Sequence, residues 1–422
     1  MTLRNGRAGR LALMTAVVVG GLAACGGGGS QEPVGAPITG AVGTPDAEAW
    51  DAAQAYMDVV NDSPKFNECL TSNAGAEPWK CMRGPRSQSA LGKAVADWLR
   101  GQFAATPGLT DAHLQPFTVP GFLPRAYDLR IDTDSGTVPV AAFPWYYRGT
   151  TPAAGVSGEI VDLGNGGLLP QLLAGSLQGK VAYLKIKLVL NAESGKAEDQ
   201  LKQIEDKGAV AAIVATDAPA NLIAAQNYDI SNGRHNLPTL IVGKEDGERI
   251  AALKGRTAHV VVDANTADGT TNNVIARLPG ADPTHIIVVG SPINGWLTVG
   301  GERAPGVGIL VYLARYFADQ ARKNGPLPYT IDFIGTGGHE IYGVGVDRYL
   351  SCLDPAQIMA YIHMGSGLVY PGYRDGAGGE PEATGKLALG RTLAVSENTV
   401  LHGVADGPFD DPVLKPYYAF PP

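Results

Sequence analysis

The sequence is short of cysteine and of basic residues, and its apolar leader lacks the length of a membrane span. It has four cysteines in 422 residues, and the two that lie close together, Cys69 and Cys81, are too few to make thiolate ligation of a metal the expected arrangement. The 33 basic residues are outnumbered by 41 acidic ones, so nucleic acid is not an expected partner. The apolar stretch at residues 11–22 is too short to cross a bilayer.

The N terminus has the pattern of an export signal. Three arginines precede the apolar stretch, which closes on Leu-Ala-Ala-Cys at Cys25. This closing sequence resembles a bacterial lipobox, which implies cleavage before Cys25 and acylation of that residue. We therefore expect residues 1–25 to be a lipoprotein signal and residues 26–45 a flexible tether, with the protein held by lipid in the bacterial cell envelope. The alternative is an ordinary secretory signal with a coincidental cysteine.

Removal of the leader makes the chain more acidic. Loss of its three arginines from 33 basic residues leaves 30 against 41 acidic residues, a net charge of −11. In an oxidising compartment, Cys69 and Cys81 are predicted to close a local disulfide loop. Cys352 is then left as an odd, buried thiol.

Residues 46–150 are predicted to begin an α/β domain. Apolar residues recur at helical spacing over residues 46–60 and 89–103, and residues 112–122 have an extended pattern. The aromatic segment FPWYYRG at residues 143–149 is interpreted as hydrophobic cover, with a binding wall as the alternative.

A smaller α/β unit is predicted over residues 151–268. Short Val/Ile/Leu strands alternate with Gly/Asn/Asp turns, and one helix ends at Gly208 before a buried strand. The order of GKVAYLKI, a helix leading into KGAVAAIVATD, and LPTLIVGKEDGERI resembles the protease-associated domain of exopeptidases over residues 156–265. That resemblance implies an inserted domain that presents or restricts substrates. His235 and His259 are predicted to be ordinary surface or turn histidines.

The remaining residues, 269–422, are predicted to form the main part of the first α/β domain. Four predicted strands flank one amphipathic helix along the sequence: NNVIARLPG, THIIVVG, YTIDFIGT and AQIMAYIH. The apolar face of that helix comprises Val307, Leu310, Val311, Ala314, Phe317 and Ala321. The alternation predicts a mostly parallel mixed sheet flanked by helices, with functional residues at the strand ends.

Four residues at these strand ends have side chains that bind zinc: Glu302, His339, Glu340 and His363. Each also has a structural interpretation. Glu302 is placed to pair with Arg303 or to cap the following helix. His339 is suited to donate to a backbone carbonyl, and His363 to be a satisfied core histidine.

Beyond single residues, the segments from NNVIARLPG to GTGGHEIYGVGVDRYL resemble the co-catalytic zinc aminopeptidase family, which includes bacterial leucyl aminopeptidases, glutamate carboxypeptidase and transferrin receptor. The resemblance covers residues 85–150 and 270–422. It implies a zinc-exopeptidase-like α/β fold with the smaller domain as an insert. It also implies a set of metal ligands, which this chain matches only in part.

The first part of the family's site is altered. The family follows the strand at HIIVVG with a histidine ligand and a supporting aspartate, and a gapless match places Pro292 and Asn294 there. Proline cannot coordinate a metal. The family's bridging aspartate matches Glu302, whose longer side chain moves the oxygens by over ~1 Å in a site that must be held within about 0.5 Å.

The second part of the site is altered too. The family's adjacent glutamates, a base and a ligand, match His339 and Glu340, and a later aspartate ligand matches His363. Neutral imidazole is a competent base near pH 7 and a good zinc ligand. The family's last histidine has no counterpart, since His402 lies in a different context, and the C terminus is predicted to be short for the family.

These matches leave two principal hypotheses. In the first, Glu302, Glu340 and His363 hold a single zinc ion while His339 activates water, and the protein hydrolyses peptides or related amides. Gly337 and Gly338 would then allow the tight turn that presents His339 and Glu340. In the second, the domain is a catalytically inactive scaffold that binds peptides or a protein partner. A mainly structural envelope protein is the third class.

Overall fold

The computed structural model describes residues 45–61, 84–165, 175–186, 192–218, 221, 223–228, 235–296, 299–300 and 302–365, together with four strands after residue 368. The predicted leader, tether, lipidation at Cys25 and disulfide between Cys69 and Cys81 lie outside these residues. Among the helices described, none is both long and apolar enough to cross a membrane.

A five-stranded mixed sheet forms the centre of the first region. Its middle strand pairs antiparallel with one neighbour and parallel with the other, and the next strand is again parallel. The α/β class with a mixed sheet is therefore confirmed. The order across the sheet is β1 (Thr110–Val119), β10 (Gly269–Leu278), β12 (Tyr329–Thr336), β11 (Asp282–Pro292) and β13 (Ile358–His363).

Helices cover both faces of this sheet. One face packs against three helices: α1 (Pro45–Asn61), α2 (Ala90–Ala104) and α5 (Ala304–Asn324). The predicted apolar face of α5 is confirmed, since Val307, Leu310, Val311 and Ala314 are buried and Phe317 and Ala321 are partly buried against the same core. On the other face, α6 (Val344–Leu350) packs Tyr349 against sheet residues such as Ile334.

An eight-stranded sheet forms the second region. Its four central strands are parallel, and three of them, Val181–Ile186, Ala211–Thr216 and Thr239–Val242, are largely buried, as is usual for parallel strands of α/β sheets. The order is β3 (Gly136–Pro139), β2 (Leu123–Thr133), β9 (Thr257–Asn265), β5 (Val156–Asp162), β6 (Val181–Ile186), β7 (Ala211–Thr216), β8 (Thr239–Val242) and β4 (Phe143–Pro144). Two helices accompany it, α3 (Ala192–Asp206) and α4 (Lys244–Ala252).

The eight-stranded sheet includes strands that precede residue 151, where the smaller unit was expected to begin. Residues 123–144 supply three of its strands, so the sheet does not end at that boundary. After residue 368, the described residues form two antiparallel strand pairs, β14 (Val369–Asp375) with β15 (Pro381–Leu389) and β16 (Leu393–Glu397) with β17 (Val400–Val404). The assignment of a protease-associated domain stays a prediction.

The aromatic segment at residues 143–149 lies in the interior. Phe143, Tyr146 and Tyr147 belong to the core between the two regions, where Phe143 and Tyr146 also pack edge-on against Trp296. Trp145 is buried in the core on the other face of the second sheet. The interpretation as hydrophobic cover is therefore confirmed.

One prediction about a single side chain is wrong, and another is correct only in part. His235 lies outside the helices and strands, as a turn histidine would, but it is not at the surface: its side chain is 8% exposed, and Nε2 lies 3.3 Å from Glu198 Oε2 on helix α3. Cys352 is not buried: it is exposed in the turn that follows helix α6. His259 lies on β9, where its ring contacts Ser157 and Asp132 at an exposed position.

Candidate functional site

The candidate site lies where the carboxyl ends of three parallel strands meet. Pro292 ends β11, Thr336 ends β12 and His363 ends β13, and parallel pairing places these ends on the same edge. The segment after β12 supplies His339 and Glu340. Glu302 lies two residues before the start of helix α5. The sequence prediction that polar residues gather at this edge is confirmed.

A tight turn after β12 presents His339 and Glu340. Gly338 has φ +70°, which a glycine adopts without steric cost, and a short 3₁₀ helix follows at His339–Ile341. Gly337 donates its N–H to Asn273 Oδ1 at 3.1 Å, and a Cβ at Gly337 would lie 2.6 Å from the carbonyl oxygen of Asn272. Both glycines are therefore needed for the turn, as predicted.

At the centre of the site lies the guanidinium of Arg303. The residue is 2% exposed, and one of its nitrogens, Nη2, contacts both candidate carboxylates. It is 2.8 Å from Glu302 Oε1 and 2.7 Å from Glu340 Oε1. Arg303 therefore occupies the space between the two acids that were predicted to share a metal.

Other bonds fix Arg303 and Glu302 in this arrangement. Arg303 donates Nε to the backbone oxygen of Asn294 and Nη1 to the carbonyl of Glu302 at 3.1 Å. The second carboxylate oxygen of Glu302 accepts the backbone N–H of Trp296 at 2.9 Å. The ion pairs are thus part of a network that joins the loop after β11 to the start of helix α5.

A second arginine packs beside this network. The guanidinium carbon of Arg86 lies 3.3 Å from the ring centroid of Trp296 and 4.9 Å from that of Tyr146, and Nη1 donates to Gly295 O at 2.8 Å. Cation–π contact and the carbonyl hold this charge on the aromatic wall. It therefore adds positive potential near the carboxylates without bonding to them.

The charges of the site depend on these partners. Burial opposes ionisation of Glu340, but Arg303 and Arg86 outweigh it and hold the pKa of that carboxyl below its ordinary value. For Glu302, burial dominates and raises the pKa, with Arg303 offsetting part of the effect. Burial alone would lower the pKa of Arg303, yet Glu302 and Glu340 together raise it, so the guanidinium stays charged.

The two histidines form a neutral pair. Their rings stack with centroids 6.1 Å apart, and His363 Nδ1 lies 2.8 Å from the hydroxyl of Tyr361. Burial, with a contribution from Arg303, lowers the pKa of His339 to about 4. Burial and the neighbouring His339 lower the pKa of His363 to about 3. Both imidazoles are therefore uncharged at neutral pH.

These residues do not fit a zinc ion as they stand. Within the described part of the chain, no group of three or more His, Cys, Asp or Glu side chains is arranged to hold a metal. Glu302 and Glu340 converge, but on a guanidinium, and His363 is engaged with Tyr361. The predicted ligand set of Glu302, Glu340 and His363 is thus not assembled, because Arg303 fills the position that a cation would need.

The structural interpretations of Glu302 and His363 agree with the structure better than the zinc hypothesis does. Glu302 pairs with Arg303, and no side chain caps helix α5. His363 is a buried histidine with a hydrogen-bonding partner. Sequence reasoning missed the central position of Arg303, although the arginine directly follows Glu302, and it missed Arg86 and Trp296 altogether.

Backbone strain is concentrated around the site. Five described residues other than glycine have positive φ, and three of them adjoin it: Tyr147, Val299 and Tyr342. Tyr342 follows the 3₁₀ helix with φ +65° and is 62% exposed, an unusual conformation for a bulky residue. Such residues cluster at binding and catalytic sites, where the surrounding structure maintains them.

Comparison with known proteins gives a match in three dimensions but not in sequence. No family model matches the chain, and no curated protein matches it either. The solved structures that it resembles include an aminopeptidase from Aneurinibacillus sp. strain AM-1, with 19% identity over 78% of this chain and 73% of the other, and a TM-score of 0.51. A zinc aminopeptidase from Bacillus subtilis has 16% identity over 75% and 68%, with a TM-score of 0.56.

A third similar structure is a peptidase M28 precursor from Shewanella amazonensis SB2B. It has 20% identity over 79% of this chain and 78% of the other, with a TM-score of 0.53. The chain has an aminopeptidase-like fold. At these identities the likeness concerns the fold, and the chemistry must be argued from the site of this chain.

Proposed function

We propose that this peptidase-like domain binds a peptide or a peptide segment of a partner protein, without metal-dependent hydrolysis. The observation that carries the proposal is the buried Arg303 between Glu302 and Glu340. A zinc ion shared by these carboxylates would have to displace the guanidinium. Removing one partner of a buried ion pair costs about 3–5 kcal/mol, which opposes that displacement.

The site keeps features of a ligand-binding surface. The side chain of Glu302 is 29% exposed, His339 is partly exposed, and Tyr342 projects into solvent beside them. Within the site, Glu340 Oε2 is buried and lacks a hydrogen-bond donor among the described residues. A buried carboxylate oxygen without a donor is costly, so this oxygen is able to accept a further N–H donor.

The test of the metal-free site uses the purified protein without residues 1–30. We expect less than one tenth of a zinc ion per chain, no change in melting temperature with EDTA, and no hydrolysis of leucine p-nitroanilide with or without added Zn²⁺. One tightly bound zinc per chain, together with hydrolysis that Glu340→Ala abolishes in a folded protein, would establish the metal-hydrolase alternative instead.

The test of binding uses the fluorescence of Trp296, whose backbone N–H is bonded to Glu302. A mixture of unmodified tripeptides is titrated into the protein, and a saturable change in emission is expected. Trp296→Phe removes the fluorescent reporter. Glu302→Gln keeps the tryptophan but replaces the carboxylate that is proposed to face the peptide. An emission change that survives in Trp296→Phe, or no binding by calorimetry at millimolar peptide, counts against the proposal.

The location of the protein in the cell is a separate proposal. The Leu-Ala-Ala-Cys sequence before residue 26 supports acylation at Cys25 and attachment to the bacterial envelope. Mass spectrometry of the protein from its native membrane is expected to find a lipid-modified Cys25 as the first residue. A protein cleaved elsewhere, with an unmodified Cys25, would support the ordinary secretory signal.

A further inference from the structure

The two site carboxylates point at a single atom. Oε1 of Glu302 and Oε1 of Glu340 lie 2.8 and 2.7 Å from the same nitrogen, Arg303 Nη2. Zinc–oxygen bonds are about 2.0–2.2 Å long. Each oxygen would therefore need to move by less than about 1 Å to bind an ion placed where that nitrogen lies.

We infer that Arg303 is the residue that excludes a divalent cation from this site: its Nη2 takes the cation position between Glu302 and Glu340, and its removal leaves a dicarboxylate site that binds Zn²⁺. The inference builds on the metal-free site proposed above and names the residue responsible. It concerns only the chemistry of the acid pair, and does not depend on the identity of any peptide ligand.

The charges around the pair support this inference. Among the described residues, Arg86 is the other arginine whose charge acts on both carboxylates, but it lies against Trp296 and its Nη1 is bonded to Gly295 O. Without Arg303, two acids that converge on one point would lose their bonded cation. Two adjacent carboxylates either share a proton or bind a cation, since their repulsion prevents both from staying ionised alone.

The experiment compares Arg303→Met with the wild-type protein, both without residues 1–30. Methionine is unbranched and apolar, so it removes the charge while keeping much of the volume. ZnCl₂ is titrated by calorimetry, and melting curves are recorded with and without it. We expect one Zn²⁺ per chain and a rise in melting temperature of about 5 °C or more for Arg303→Met at saturating Zn²⁺.

Two controls separate this site from general metal binding. Arg322→Met changes an exposed arginine in the last turn of helix α5, which pairs with Asp319, and is expected to behave as the wild type does, without stoichiometric binding. Arg303→Lys keeps a cation and is expected to bind no Zn²⁺ either. Equal binding by wild type and Arg303→Met, or no binding by a folded Arg303→Met, would overturn the inference.

A third variant covers the case in which Arg303→Met does not fold without metal. Combining it with Glu302→Gln and Glu340→Gln removes the charges that Arg303 neutralises, so this triple variant is expected to fold and to bind no Zn²⁺. Folding of the single variant that depends on Zn²⁺ also supports the inference. If the triple variant is as unfolded as the single one, Arg303 has another role and the inference fails. Peptide binding by the wild-type protein is a separate measurement. Its outcome does not affect the conclusion drawn from Zn²⁺ binding by Arg303→Met, and the reverse also holds.

Discussion

Gly338 donates its backbone N–H to Oδ1 of Asn294 at 3.0 Å, across 44 residues of sequence. Asn294 is 1% exposed, and its backbone oxygen accepts Nε of Arg303. One asparagine thus connects the turn that presents Glu340 with the arginine that neutralises it. The position that the family resemblance assigns to a metal-supporting aspartate has a structural role in this chain.

Replacing Asn294 by alanine is expected to destabilise the protein by about 1–3 kcal/mol, because the buried N–H of Gly338 loses its acceptor. Urea unfolding measures the change. Asn324→Ala, at an exposed position where the side chain donates to Gln320 along the same helix, is the matched control and is expected to change stability by less than about 0.5 kcal/mol. A loss for Asn294→Ala no larger than that of the control would show that the bond does not hold the turn.

Asp332 on β12 forms a second buried polar centre. It accepts Nε and Nη2 of Arg277, each at 2.7 Å, and the hydroxyl of Tyr349 at 2.5 Å. Asp332→Ala is expected to cost about 2–4 kcal/mol, since it leaves the hydroxyl and the guanidinium without their partner. Thermal and chemical unfolding measure this loss.

The control for Asp332 is Asp319→Ala on the exposed side of helix α5. Asp319 pairs with Arg322 and Lys323, but solvent-exposed ion pairs contribute only about 0–1 kcal/mol. Similar losses of stability for Asp332→Ala and Asp319→Ala would mean that the buried Asp332 network stabilises the protein no more than an exposed ion pair does.

Two glycines after the turn provide a matched pair of backbone substitutions. A Cβ at Gly345 would lie 2.1 Å from the carbonyl oxygen of Gly337, so Gly345→Ala must displace the turn itself. Gly343 has φ +72° but open space around it, so Gly343→Ala is expected to cost only about 1–2 kcal/mol of left-handed strain. We expect Gly345→Ala to be the more destabilising by melting temperature. The reverse order would contradict the close packing of the turn.

Stability is expected to fall as the pH is lowered from about 6.5 to about 5. The folded protein resists protonation of His339 and His363, whose pKa values lie near 4 and 3, while the unfolded chain binds these protons near pH 6.5. The unfolded state therefore binds more protons in this range, with a limiting slope of about 1.4 kcal/mol per pH unit for each histidine.

Urea unfolding at several pH values measures this slope. His363→Gln removes one titrating group while keeping a hydrogen-bonding side chain, and is expected to reduce the slope by about half. An unchanged slope in that variant would assign the pH dependence to other groups.

Local patterns in the sequence were sufficient to predict most of the fold around the site. Helix Ala304–Asn324 follows from apolar residues at helical spacing with Pro305 near its start, and strand Tyr329–Thr336 from a short segment rich in aromatic and β-branched residues that ends before glycines. The turn at Gly338 follows from the Gly-Gly pair. These features depend on interactions between residues that are close in the sequence, so they can be predicted from a single sequence.

The chemistry of the site depends on contacts between distant residues and could be predicted only in part. The pairing of Glu302 with Arg303 is one of two alternatives that adjacency suggests, but the bond from Arg303 to Glu340 spans 37 residues. The burial of His235 has the same origin, because helix α3 supplies the partner Glu198. No periodicity in the sequence identifies such partners before the strand order is known.

The backbone N–H of Tyr228 donates to the carbonyl of Glu340 at 2.9 Å, and the indole of Trp296 donates to Asn227 Oδ1 at 2.8 Å. Tyr228 and Asn227, between β7 and β8, therefore bond to the turn after β12 and to the loop after β11, respectively. Separating residues 123–265 from the remainder would expose these groups and the aromatic core behind them. The two sheets are consequently expected to melt in a single cooperative transition, and neither half to persist as an independently folding unit.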